Sequence, residues 1–304
     1  MKSNSVTHLL RPALIPVWLS VGLLWLLHWL PLSQQAAIGN AIGWLLARLP
    51  SRRRHIVATN LALCFPDTPE PQRKRWLRKT FQTSVRAVLE HGLLWWGSEA
   101  RVRRLIQIDN PEAARGDGVR PVIWMAPHFV GLDMGGVRLT MDQTIVSMYA
   151  RAKDPVSDKY MRHGRTRFSD IVLVERHEGI KATLAAIKRG LPFYYLPDQD
   201  HGRLNAVFVP FFGIPAATVS ALPRLAKLTN AQIVPVITRQ LPGGQGYRVR
   251  FYPPWDNFPS DDLEADVARM NAFIEERVRE MPEQYLWLHR RFKTRPPGEA
   301  SLYG

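Results

Sequence analysis

Pro121-Val-Ile-Trp-Met-Ala-Pro-His-Phe-Val-Gly-Leu-Asp133 is the stretch on which the reading of this chain turns. Val122 to Ala126 is an unbroken apolar run, too short for a helix and suited to a buried strand. Pro127 ends it, because proline fixes φ and has no N–H to give a sheet. His128 follows at the strand's C-terminal end, and Asp133 comes five residues later. Met134-Gly-Gly-Val-Arg-Leu-Thr140 then continues in a helix-compatible way. Positions i and i+5 of one ideal helix lie about 140° apart and do not touch. The expectation is therefore that His128 sits in the turn before the helix, with Asp133 folding back towards it. An imidazole held by a carboxylate through one nitrogen is a general base of fixed tautomer. The spacing alone proves little. Nine histidines and 26 acidic residues make about one such pair expected by chance.

The 304 residues suit one large α/β domain with an appendage, and a 46% hydrophobic share is enough for a sizeable core. The formal net charge of +15 favours acidic partners: nucleic acid, anionic lipid or acidic protein. One cysteine, Cys64, excludes an intramolecular disulfide and a cysteine-rich metal site. It reads as structural.

Residues 13–32 carry no formal charge. Twenty helical residues rise about 30 Å, the thickness of a bilayer's hydrocarbon core. Trp18, Trp25 and Trp29 suit the membrane interface. A buried helix or a signal peptide would be the other readings; the segment is taken as a transmembrane anchor helix. Ala36 to Leu49 is too short to span and is expected to pack on the domain or lie in the interface. Arg48, Arg52, Arg53 and Arg54 follow. Positive charge beside an apolar span stays on the cytoplasmic side, which would put the rest of the chain there. The expected organisation is thus an N-terminal anchor segment, 1–32, and a cytoplasmic-face domain, 33–304.

Pro71 to Trp96 reads as one helix, basic at its start; that face rests on anionic lipid or is simply solvated. Thr144–Tyr149, Ile171–Val174, Pro192–Leu196, Gln232–Ile237 and Tyr247–Tyr252 are β-rich runs. Helices are expected over Glu178–Arg189, over Ala217–Thr229 despite Pro223, and after a cap at Asp261. Strands alternating with helices predict an α/β fold, a central mostly parallel or mixed sheet flanked by helices.

The order of blocks resembles the glycerolipid acyltransferase superfamily. His128-x4-Asp133 stands first, then Val172-Leu-Val-Glu-Arg176, Tyr195-Leu-Pro-Asp-Gln-Asp200 and Ile233-Val-Pro-Val236. Pro-Asp-Gln-Asp replaces the superfamily's usual Pro-Glu-Gly. A narrower likeness is carried by Asn60-Leu-Ala-Leu-Cys-Phe-Pro66, by Pro197-Asp-Gln-Asp-His-Gly202 and by Val207-Phe-Val-Pro-Phe-Phe212. With Glu283-Gln-Tyr-Leu-Trp-Leu-His-Arg-Arg-Phe-Lys-Thr-Arg295 they resemble the late acyltransferases of lipid A biosynthesis, the lauroyl/myristoyl transferase family of Gram-negative inner membranes.

That resemblance implies a glycerolipid acyltransferase-like fold and O-acyl transfer from an acyl-acyl carrier protein thioester. The acceptor would be a hydroxyl on a 3-hydroxyacyl chain of a lipid A precursor. His128 would be the base and Asp133 its orienting acid, with no metal and no organic cofactor. Backbone N–H groups just after His128 are natural donors to the oxyanion. A phosphorylated acceptor calls for guanidinium groups, and Arg151, Arg165, Arg167 and Arg176 are the candidates. Asp198 and Asp200 would bind Arg176 or acceptor hydroxyls, or form an Asp-rich turn. The expected partners are acyl carrier protein, the lipid A precursor and an anionic membrane surface. The His289–Arg295 basic cluster fits lipid phosphate, carrier protein or internal packing, and no nucleic-acid partner is expected. The alternatives are another glycolipid or a lysophospholipid as acceptor, or a non-catalytic basic protein that binds membrane or nucleic acid.

Overall fold

The computed structural model describes residue 9, residues 11–175 and residues 179–304. Its centre is a seven-stranded sheet. In chain order the strands are β1 (Ile106–Asp109), β2 (Val122–Met125), β3 (Val146–Tyr149), β4 (Val172–Glu175), β5 (Phe193–Tyr195), β8 (Gln232–Gln240) and β9 (Tyr247–Phe251). They lie in the order β1-β9-β8-β2-β5-β3-β4. Every pairing is parallel except β8 with β9. The expected mixed, mostly parallel sheet is what forms.

The unbroken apolar run of β2 has a simple cause. Side chains alternate across a strand, and both faces here are covered. Ile123 and Met125 join one core, with Phe193, Ile233 and Leu225; Val122, Trp124 and Ala126 join the other, with Val137, Ile145 and Val234. A separate antiparallel hairpin, β6 (Ala206–Phe211) and β7 (Ile214–Val219), packs on the last helix, α10 (Leu263–Glu280).

Of the other helices, α4 (Glu70–Trp96) is the longest, with 27 residues. It packs against α1 (Ile15–Leu27), α2 (Leu32–Leu46), α3 (Arg52–Cys64), α5 (Glu99–Leu105), α6 (Leu132–Thr140) and α7 (Pro155–Thr166). The remaining two are α8 (Lys181–Lys188) and α9 (Ala221–Thr229). The helix expected from Ala217 begins later, because Ala217–Val219 completes the hairpin. Pro223 then falls in the first turn of α9, where its missing N–H is not needed. The last helix is capped by Asp262, one residue beyond the expected position, through the backbone N–H of Glu264 and Ala265.

The single anchor helix expected over 13–32 is corrected. His28 to Pro31 interrupts it, leaving helices of 13 and 15 residues. At 1.5 Å per residue these rise about 20 and 22 Å, short of a ~30 Å hydrocarbon core. No helix among the described residues is long and apolar enough to cross a membrane. Both halves dock on α4 instead. A Cβ on Gly43 would meet the backbone of Gln82 at 2.4 Å, and one on Gly92 the carbonyl oxygen of Leu24 at 2.8 Å. Small residues thus let the helix backbones approach. The opposite side stays bare: Leu19, Leu26 and Trp29 are each more than 60% exposed, and Trp44, Leu45 and Leu49 are exposed too.

Candidate active site

The sheet register builds the site. Met125 lies opposite Tyr195, and the N–H of Ala126 continues the pairing by donating to the Tyr195 carbonyl at 2.8 Å. Each strand is then followed by one residue and a proline, so His128 and Asp198 emerge side by side at the C-terminal ends of parallel neighbours. This is where open α/β sheets hold their ligands. The Asp198 carboxylate accepts the backbone N–H of His128 at 3.1 and 3.0 Å and lies 2.7 Å from Nδ1 of the same residue.

Asp198 is buried, which pushes its carboxyl up. The charge of His128 and hydrogen bonds from His128 and Tyr285 outweigh this and hold it below the usual carboxylate range. An ionised carboxylate only accepts, so Nδ1 carries a proton and Nε2 is the nitrogen left to exchange one. Among the described residues, Nε2 has no hydrogen-bond partner. The C-terminal segment secures the turn from the other side. Leu286 N–H donates to the His128 carbonyl at 3.0 Å, Val130 N–H to the Gln284 carbonyl at 2.9 Å, and Phe129 bridges Tyr285.

The expected partner of His128, Asp133, is engaged elsewhere. It lies in the first turn of α6 and faces α7 and α4. Arg165 donates to Oδ1 through Nη2 at 2.8 Å and Nε at 3.3 Å, and His91 Nε2 stands 3.3 Å from Oδ2. Burial raises the Asp133 carboxyl, but these two neighbours bring it well below the usual range. The chain-local reading fails here because a carboxylate on a helix turns to the nearest cations, while His128 finds its acid across the sheet.

Both groups line one cavity of about 860 Å³, at the upper end of the usual size for ligand pockets. Its walls include Val137, Ile145, Met161, Ile171, Leu173 and Leu225, with His128, Asp133 and Arg165 as polar members. The lining suits an apolar chain with a reactive polar end.

The other candidates separate. Arg151 donates to Glu175 at 2.7 Å from an exposed position, and Tyr149 donates to the same carboxylate. Arg167 caps α4 by donating to the carbonyls of Leu94 and Gly97 at 3.0 and 2.7 Å. Arg176 lies outside the described residues. Asp200 is buried and accepts from Thr294, through N–H and hydroxyl, at 2.8 Å each. Its own N–H donates to His289 Nε2 at 3.1 Å, and burial lowers His289 to about 4, keeping it a neutral acceptor.

Within the His289–Arg295 cluster, Arg291 is buried against the Ala217 carbonyl and the Thr218 hydroxyl, so packing is its role. The Cys64 thiol is buried and pushed well up, as befits an inert core residue. The N–H groups of Phe129 and Val130, expected to meet an oxyanion, are already bonded to the carbonyls of Pro127 and Gln284.

Sequence reasoning missed His91 altogether and misjudged Asp198. A signal for the second was present. Strand-x-Pro-His at residues 125–128 and strand-x-Pro-Asp at 195–198 are the same local pattern. Neighbouring parallel strands bring such patterns together.

The family model for the bacterial lipid A biosynthesis acyltransferases matches residues 3–294. The lipid A biosynthesis lauroyltransferase of Escherichia coli (strain K12) is 35% identical over 300 residues, covering 98% of this chain and 97% of its own. The palmitoleoyltransferase of the same organism is 33% identical over 298 residues, covering 97% and 96%. Its myristoyltransferase is 32% identical over 259 residues, covering 83% of this chain and 78% of that one. A match over nearly the whole length, in a chain whose histidine–carboxylate pair opens onto an apolar cavity, places it among the bacterial lipid A biosynthesis acyltransferases.

Proposed function

We propose that the chain moves a fatty acyl group from an acyl carrier protein thioester to a hydroxyl on a 3-hydroxyacyl chain of a lipid A precursor. His128, oriented by Asp198, is the base. The carrying observation is the His128–Asp198 pair opening onto an apolar cavity of about 860 Å³. Nε2 of His128 takes the hydroxyl proton as the oxygen attacks the thioester carbonyl carbon. The tetrahedral intermediate collapses, the C–S bond breaks, and the departing thiolate recovers the proton from the imidazolium. A positioned base of this kind contributes about 10²–10⁴-fold. Asp133 and Arg165 give the same wall a fixed charged mark against which the polar part of a substrate aligns. The scheme uses no metal and no organic cofactor.

The bare side of α1 and α2 supports attachment to a membrane surface rather than a span. Leu19, Leu26, Trp29 and Trp44 would enter the outer part of one leaflet. Arg48 and Arg52 lie just beyond α2, placed for anionic head groups on the cytoplasmic side.

The test is direct. Purified protein, acyl-acyl carrier protein and a lipid A precursor are incubated, and products are weighed by mass spectrometry. The expected product is heavier by one acyl group. His128→Ala should slow its appearance about 100-fold or more while the fold persists. Unchanged lipid with well-folded wild-type protein would sink the reading.

A further inference from the structure

A second imidazole stands behind the cavity wall. His91 lies near the C-terminal end of α4 with its ring against Trp95. Its Nδ1 is 2.6 Å from the carbonyl oxygen of Ala87, one turn earlier, and its Nε2 is 3.3 Å from Asp133 Oδ2. A carbonyl oxygen only accepts, so Nδ1 donates. Asp133 is paired with Arg165 and ionised, so it too only accepts, and Nε2 donates as well. A neutral imidazole has one N–H to give. Two acceptors at its two nitrogens require the imidazolium.

We propose that His91 is a positioning residue of the acyl-transfer site, a standing cation that clamps Asp133 from the side opposite Arg165 and so fixes the charged wall beside His128. The proposal rests on the acyl-transfer reading above. His91 acts through Asp133, which lines the cavity. The Asp133 carboxylate is then held by one cation on each oxygen: Arg165 on Oδ1, His91 on Oδ2. With both anchors it has one orientation. With Arg165 alone it can rotate about its own axis, and the wall loses its fixed acceptor.

The charged groups facing His91 are Asp133 on α6, Arg165 on α7 and Glu90 on its own helix. Glu90 is bonded to Arg86 and Tyr247. Burial and Arg165 disfavour the imidazolium, while Asp133 and the Ala87 carbonyl favour it, and the balance lies above the ordinary imidazole value. The clamp is therefore in place up to the ordinary imidazole value and released as pH rises above it.

The experiment uses full-length protein with ¹⁵N-labelled histidine, and His91→Gln to assign the resonance. The ring nitrogens of His91 should show the imidazolium pattern at about pH 6 and titrate above about 6.5. Wild-type kcat should fall on the alkaline side with the same midpoint. His91→Gln, which keeps an N–H donor without the charge, should lose that limb and lower kcat about tenfold, with KM little changed. A His91 ring already neutral at about pH 6 overturns the proposal. So does a His91→Ala protein with wild-type kcat and pH profile. A wild-type protein that transfers no acyl group would instead refute the acyl-transfer reading, while the nitrogen spectrum still reports the charge on His91.

Discussion

His128 lines this cavity and His91 stands behind its wall, and their neighbours give the two histidines opposite characters. His128 has one acceptor, Asp198, at Nδ1, and its other nitrogen makes no hydrogen bond among the described residues. His91 has an acceptor at each nitrogen, Ala87 and Asp133. The first leaves one nitrogen for a substrate proton; the second is called on to donate from both. Residue type does not distinguish them. The number of fixed acceptors around the ring does, because each acceptor demands an N–H.

Substitutions can break this contrast. Asp198→Asn should act most strongly. The amide can present its N–H₂ to Nδ1, inverting the tautomer so that Nε2 carries the proton. We expect kcat to drop about 100-fold or more, read in the mass-spectrometric assay, with KM much less affected. Asp133→Asn should come next. It leaves Arg165 and His91 facing a neutral amide, and the His91 imidazolium loses its stabilising partner. Because all three side chains are partly exposed, a stability loss of about 1–2 kcal/mol is expected from denaturant melts. The ¹⁵N signature of His91 should shift towards the neutral form in the same variant.

The pH dependence of stability sharpens the comparison. Asp198 and Asp133 have carboxyls held below their usual range. They stabilise the fold above about pH 4 and cease to do so as pH falls through their lowered folded values. His91 is raised in the fold. Its contribution is complete below about pH 6.5 and disappears as pH rises through its folded value. Thermal melts should therefore show the highest stability in mildly acidic solution, with a decline on each side. His91→Gln should flatten the alkaline decline and leave the acid one.

Thr294→Val should have the smallest effect. It removes one of the two Thr294 hydrogen bonds to Asp200 while the backbone bond persists. About 1 kcal/mol of stability should be lost, and Thr294→Ser should restore it.

Much of this was legible in the chain. The β2 strand, its proline stop and His128 at the strand end follow from local chemistry, as do the alternating strands and helices of an α/β fold. The acid that serves His128 was hidden by distance along the chain. Asp198 lies 70 residues away, and its placement depends on β5 pairing with β2 in one register. Asp133 looked like the partner because it is near in sequence, yet a helix turn beginning at Leu132 points it towards Arg165 and His91. The apolar N-terminal stretch was misjudged for a related reason. Its composition measures greasiness, whereas the break at His28–Pro31 and docking on α4 measure length.

Sequence by itself determined that this protein would build a sheet with a histidine at the C-terminal end of a buried strand, since apolar runs and prolines act on their immediate neighbours. Only the tertiary structure decided which carboxylate met which imidazole, and hence how many acceptors each ring must serve. Proton positions depend on groups within about 3 Å of one another, and residues that close come from four separate segments of the chain.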